Sequence, residues 1–298
     1  MTAALALAVA APAHARSQPV AACGFSPATF SFNGDPATQA RCLLRPFGEG
    51  GELDDEQAAP PQLPATLAQL VGQPFAFDRD ATRRALSAAG FPADIAGSIG
   101  DPISRGGGAL NLQARYFVIH DTSTPPLDDF PADIDTNRRI NSFAWYRSAD
   151  PIAHVFVNRR GELDVTQDFS QPLRATKLEH FEYGGDEARG MFLHVELVQP
   201  RRDDPGKHVG NRAIAPTPGF TPAQYQRLAQ LYVLASARAG VWLVPGFHAN
   251  IDRWIRDAHD DPQNFSLTEF DAALAALVAA IETPATSLTS ATPPSHRR

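Results

Sequence analysis

The chain has 298 residues, of which 43% are hydrophobic and 20% are charged, and its formal net charge at pH 7 is −7. These values are ordinary for a soluble globular enzyme that buries a substantial core in one large domain or two small ones. The negative charge argues against nucleic acid as the main partner, because phosphate binding requires a concentrated basic surface.

Residues 1–15 have the pattern of a secretory signal peptide. A short apolar segment at residues 5–11 precedes Ala13-His14-Ala15, which matches the small-x-small cleavage pattern. The segment is too short to span a bilayer as a helix. We therefore expect a periplasmic or extracellular protein that begins near Arg16 and has no integral membrane segment after cleavage. No Lys or Arg precedes Arg16, so either the true start of a signal peptide lies upstream or these residues are a disordered leader.

Two cysteines, Cys23 and Cys42, lie shortly after the expected cleavage point. In an exported chain an even pair predicts a disulfide that closes the mature N-terminus. The alternative is a pair of free buried thiols. Since neither cysteine is near His120, His248 or His259 in the sequence, a thiolate metal site and a Cys nucleophile are both disfavoured.

The segment up to residue 108 is predicted to be an N-terminal extension. Residues 16–64 are rich in Pro, Gly and Ala, which predicts an extended, loop-rich arm. Short helices are predicted at residues 65–71 and 80–89. Gly106-Gly107-Gly108 indicates a flexible linker, because no phosphate-binding Lys-Thr follows it.

Strands and helices are mixed in residues 109–282. Strands are predicted at residues 115–120, 152–158, 162–165 and 191–198, the second and third forming a hairpin, and a helix is predicted at residues 137–147. Capping boxes predict further helices that begin at Thr221 and Ser266. We expect an α/β domain with a mixed central sheet flanked by helices, followed by a disordered tail at residues 283–298.

The connection between the two capped helices contains two histidines, His248 and His259, and several carboxylates. A loop held between rigid elements is a usual place for binding and catalytic groups. Imidazole and carboxylate suit zinc, which takes three or four protein ligands. The best candidate for the ligand from elsewhere is His120, at the end of the strand predicted at residues 115–120. We therefore predict an open site with three zinc ligands: His120, His248 and an Asp of the loop.

Four sequence features occur in the order found in one enzyme family. They are Val118-Ile119-His120-Asp121-Thr122, Val195-Glu196-Leu197, the helix start Thr221-Pro222-Ala223-Gln224, and His248 followed by Asp261-Pro262. Together they resemble the zinc-dependent N-acetylmuramoyl-L-alanine amidases, which are related in fold to the peptidoglycan recognition proteins. The resemblance covers about residues 112–282, and residues 153–163 also resemble the hairpin of that family.

The resemblance implies roles for five residues. His120, His248 and Asp261 would be the zinc ligands, Glu196 the general base, and His259 the residue that stabilises the transition state. The implied reaction is hydrolysis of the amide bond between N-acetylmuramic acid and the L-Ala of the stem peptide. The substrate would be peptidoglycan or muropeptides, the cofactor Zn²⁺, and the enzyme a monomer.

Several alternatives stay open at this stage. His259 and Asp261 are so close in sequence that either could be the third ligand. His194 is predicted to pack beside the site or support a ligand, and His154 to be structural. A peptidoglycan-binding protein of the same fold without activity is the alternative function. The absence of a Gly-x-Ser-x-Gly motif disfavours a serine hydrolase, whereas spacing alone leaves glycoside hydrolysis by paired carboxylates open.

Overall fold

The fold is described by a computed structural model over residues 23–46, 62–148, 150–180, 188–203, 213–253, 255 and 259–283. The predicted signal peptide lies outside these residues, as does the predicted tail after residue 283. A mixed five-stranded sheet flanked by helices forms the centre, which confirms the predicted α/β class. Within the described ranges, no helix combines the length and apolar character that crossing a membrane requires.

Nine strands are described. They are β1 (Phe25–Ser26), β2 (Ser31–Phe32), β3 (Tyr116–Asp121), β4 (Pro126–Leu127), β5 (Val155–Val157), β6 (Leu163–Val165), β7 (Phe192–Leu197), β8 (Arg201–Arg202) and β9 (Val244–Phe247). The central sheet has the order β6-β5-β7-β3-β9, and β1-β2 and β4-β8 form separate pairs. The predicted hairpin is confirmed as the antiparallel pair β5-β6.

The other central strands are parallel, so their carboxyl ends meet at one edge of the sheet. β3 pairs in parallel with β7 on one side and with β9 on the other. Every residue of β3 and β7 is buried, as expected of strands covered on both faces. The polar residues of these strands therefore lie inside the protein, at the edge where parallel sheets commonly bind ligands.

Eight α-helices are described. They are α1 (Pro36–Leu43), α2 (Ala65–Leu70), α3 (Arg79–Ala88), α4 (Ala93–Gly97), α5 (Lys177–His180), α6 (Pro222–Ala239), α7 (His248–Ile251) and α8 (Leu267–Glu282). The predicted start of α6 is confirmed, because the side chains of Thr221 and Gln224 each accept a hydrogen bond from the other's backbone. The helix ends at Ala239 and is capped by Gly240, whose φ of 72° suits glycine. Ser266 caps α8 by accepting from the backbone N–H of Glu269, but the reciprocal half of the predicted capping box is absent, because Ser266 N donates to the hydroxyl of Tyr225.

The prediction of a helix at residues 137–147 is wrong. This segment forms turns and one short 3₁₀ helix, Phe143–Trp145. The side chain of Asn137 accepts hydrogen bonds from the backbone of Arg139 and Ile140, and Asn141 donates to the Asn137 carbonyl. These side-chain bonds compete with the helical backbone pattern and favour turns.

The prediction of a loop-rich arm is wrong for residues 36–43, which form α1. Asp35 caps this helix by accepting from Thr38 N, and Pro36 is its first residue. The buried Leu43 belongs to the same hydrophobic core as β3 and β7. Asn250, in α7, donates hydrogen bonds to two carbonyls of the segment that follows the disulfide. The N-terminal extension therefore supports the segment that begins with His248.

The predicted disulfide between Cys23 and Cys42 is confirmed. Replacing both cysteines with Ser should lower the free energy of unfolding by about 3 kcal/mol, because the cross-link restricts the unfolded chain. Urea denaturation of the variant and the wild type, with intact mass after alkylation, tests this. Equal free energies of unfolding, or two alkylated cysteines in the oxidised wild type, would contradict it.

Candidate metal centre

Three neighbouring strands bring the predicted site residues together. His120 in β3 is paired with Glu196 in β7, so both side chains project from the same face of the sheet. Phe247, the last residue of β9, is paired in parallel with Ile119 of β3. His248 comes next in the chain and therefore lies beside His120. Asp261 reaches the same place from the loop before α8.

His120, His248 and Asp261 form a buried cluster whose potential ligand atoms all lie within 4.8 Å of one another. The two histidine Nδ1 atoms are 3.0 Å apart. Asp261 Oδ1 lies 3.0 Å from His248 Nδ1, and Asp261 Oδ2 lies 3.6 Å from His120 Nδ1. Two imidazole nitrogens and one carboxylate thus converge on a single point, as a three-ligand metal site requires.

Asp252 orients the ring of His248 from the side remote from the cluster. Its Oδ2 lies 2.9 Å from His248 Nε2, and the two carboxylate oxygens accept hydrogen bonds from the backbone of Lys177 and Leu178. Because a carboxylate accepts, His248 Nε2 carries the proton. In the neutral ring, Nδ1 then keeps its lone pair toward the cluster, an arrangement typical of histidine metal ligands.

The carboxylate of Asp261 is held by the end of β3. Its Oδ2 accepts a hydrogen bond from Asp121 N at 3.2 Å. The side chain of Asp121 in turn accepts from Gln263 N and lies 2.6 Å from a nitrogen of the buried Arg201. The loop on both sides of residue 262 is therefore anchored to the strand that carries His120.

Positive charge is favoured on His248 and disfavoured on His120. Burial, together with the neighbouring His248, lowers the pKa of His120 to about 3. Burial also opposes charge on His248, but Asp261 and Asp252 outweigh it and raise the pKa of His248 well above its usual value. His248 in turn holds the pKa of Asp261 well below its usual value, against the effect of burial.

Glu196 lies at the edge of the cluster with one oxygen uncommitted. Its Oε1 is 3.8 Å from His120 Nδ1, whereas the buried Oε2 has no hydrogen-bond partner among the described residues. Burial, and then the charges of Asp261 and Asp121, raise the pKa of Glu196 well above the usual value of a carboxyl group. Glu196 therefore holds a proton more readily than an ordinary carboxyl group and lies 3.8 Å from a candidate ligand, His120.

His259 lies at the exposed side of the cluster. Half of its side chain is exposed, its ring centroid is 4.5 Å from that of His248, and its Nδ1 is 3.7 Å from Asp261 Oδ1. Burial of the other half lowers its pKa. His259 can thus donate a hydrogen bond to a molecule that enters the site, while Asp261 occupies the buried position beside both other histidines.

Sequence reasoning assigned no role to Asp252, Glu179 or Arg201. The spacing of His248 and Asp252, four residues apart, could have revealed the first, because such residues share one face of a helix. Glu179 lies in a segment with no recognisable motif. Only the tertiary structure therefore shows that it lies near the site.

Comparisons of this chain with family models, curated proteins and solved structures give no match.

Proposed function

We propose that this protein is an exported zinc amidase that hydrolyses the bond between N-acetylmuramic acid and the L-Ala of peptidoglycan stem peptides. The observation that carries the proposal is the buried cluster of His120, His248 and Asp261 beside the uncommitted Glu196 Oε2. The substrate follows from the resemblance of the site segments to the amidase family. The disulfide is compatible with export.

The donor set fits zinc. His120 and His248 would supply two Nδ1 atoms and Asp261 one carboxylate oxygen, which leaves further positions for water and substrate. When bound, zinc polarises a carbonyl group and lowers the pKa of water.

Glu196 would move the proton during hydrolysis. The oxygen of the attacking water bonds to the carbonyl carbon of the substrate amide while Glu196 accepts the proton of that water. Breaking the C–N bond then releases the amine of L-Ala, which takes the proton from Glu196. His259 would donate a hydrogen bond to the carbonyl oxygen as negative charge develops on it.

The geometry disfavours a glycosidase with paired carboxylates. Such an enzyme needs a second carboxyl group that faces the sugar and acts as a base or nucleophile. Asp261 is near enough for its charge to raise the pKa of Glu196, but His248 and the backbone of Asp121 already engage it. A protein that only binds peptidoglycan would have no need of an uncommitted buried carboxylate at this place.

Zinc content and product analysis test the proposal together. We expect about one equivalent of zinc per chain. Digestion of purified peptidoglycan should release stem peptides with a free L-Ala amine, and a chelator should stop the release until zinc is restored. Binding to peptidoglycan without release would support the non-catalytic alternative. Cleavage between sugars, or activity unchanged after complete removal of metal, would overturn the proposal.

A further inference from the structure

We infer that Glu179, acting through His194, is a positioning residue that fixes the ring of His120 so that Nδ1 faces the metal site. This inference rests on the proposed zinc site and extends it to a second layer of residues. His194 and Glu179 are both buried, and neither belongs to the cluster of potential metal ligands.

The three side chains form a continuous row away from the metal site. His120 Nε2 lies 3.1 Å from His194 Nδ1, and His194 Nε2 lies 3.1 Å from Glu179 Oε2. The second contact has the distance of an ion pair but not the alignment of a hydrogen bond. His194 reaches His120 because both project from the same face of the paired strands β7 and β3.

Glu179 determines which ring nitrogens of His194 and His120 carry a proton. Its Oε2 accepts hydrogen bonds from the backbone of Ala175 and from both the backbone and the hydroxyl of Thr176. This acceptor oxygen lies 3.1 Å from His194 Nε2 and, although the pair is not aligned as a hydrogen bond, its negative potential favours the tautomer of His194 with the proton on Nε2. In the neutral ring His194 Nδ1 is then an acceptor, and the proton of His120 belongs on Nε2. The lone pair of His120 Nδ1 is left toward the cluster.

One short segment supports both histidines of the site. Glu179 of α5 reaches His120 through His194, whereas the backbone N–H groups of Lys177 and Leu178 hold Asp252, which contacts His248. Two candidate ligands, His120 in β3 and His248 directly after β9, thus depend on the same short segment of chain. Outer partners of this kind typically change metal affinity or activity by roughly 10- to 100-fold when removed.

His154 provides a matched control. It is as buried as His194, its ring stacks on that of His194 at 5.7 Å, and its Nδ1 accepts a hydrogen bond from His194 N. It lies outside the row that joins Glu179 to His120. Replacing it disturbs the same core without removing an acceptor from the row.

The test measures zinc affinity by chelator competition and the protonated ring nitrogen of His120 by ¹⁵N NMR of the zinc-free protein. Glu179→Met should weaken zinc binding roughly 10- to 100-fold and shift part of the His120 proton from Nε2 to Nδ1. Glu179→Gln keeps an acceptor oxygen. It should therefore restore most of the zinc affinity and return most of the His120 proton to Nε2. His154→Gln should leave zinc affinity and the His120 proton unchanged.

Wild-type zinc affinity and an unchanged His120 proton in Glu179→Met would overturn the inference. If that variant does not fold, His194→Met removes the acceptor directly and His194→Gln restores one, with the same expected results. The ring-proton measurement needs neither zinc nor substrate. A wild type that binds no zinc would therefore refute the proposed function alone, whereas unchanged variants of a zinc-binding wild type would refute the inference alone.

Discussion

Glu196→Gln should fold, retain about one equivalent of zinc and lose about 10²-fold or more in turnover, the usual size of a general-base contribution. The substitution preserves the size of the side chain but removes its ability to accept a proton. Glu196 is not expected to be a zinc ligand, so the metal content should not change. Turnover on purified muropeptides and metal analysis of the same preparation measure the two effects.

The matched control for this prediction is Glu162→Gln. Glu162 is an exposed carboxylate next to β6 that lies 3.4 Å from Arg160, away from the cluster. We expect the turnover of Glu162→Gln to equal that of the wild type. If Glu196→Gln turned over at the wild-type rate with normal zinc content, Glu196 would have no part in proton transfer.

The helices that sequence predicted best are those with local signals. The Thr221 and Ser266 caps depend on residues three positions away, so the sequence itself contains the whole interaction. β9 had no such signal and was not predicted, because Pro245 and Gly246 are typical of turns. It forms as the edge strand of the sheet, where only one side must pair. Gly246 lets α1 pack closely there, since an added Cβ would lie 3.0 Å from Leu43 Cβ and one of the two would have to shift.

The candidate site was predictable only in part, because most of its contacts join segments that are distant in sequence. Strand alternation correctly placed Glu196 and His194 on one face of β7, but it gave no information on which strand would lie beside it. The pairing of His120 with Glu196 is a tertiary property of the sheet. The contact of Glu179 with His194 likewise joins segments that have no common motif. Resemblance to a family could suggest ligands, but the residues that orient them required the fold.

Asp261→Ala should purify with little zinc, whereas His259→Ala should purify with about one equivalent and a kcat lowered by about 10²–10³. Asp261 is buried and lies within 3.6 Å of both His120 and His248, so its loss leaves only two ligands of the cluster. His259 is half exposed and approaches the cluster only at its edge. Its loss should remove a hydrogen-bond donor to the reacting oxygen and leave the metal in place.

Asp260→Asn is the control for general damage to this loop. The Asn side chain of this variant can still accept the hydrogen bond that Gln263 donates to Asp260 in the wild type. Asp260 does not belong to the cluster. Zinc content and kcat should therefore stay close to those of the wild type. If zinc were lost with His259→Ala and kept with Asp261→Ala, His259 would be the third ligand. The loop would then have to move His259 inward when metal binds, because His259 is half exposed and lies outside the cluster of potential ligands.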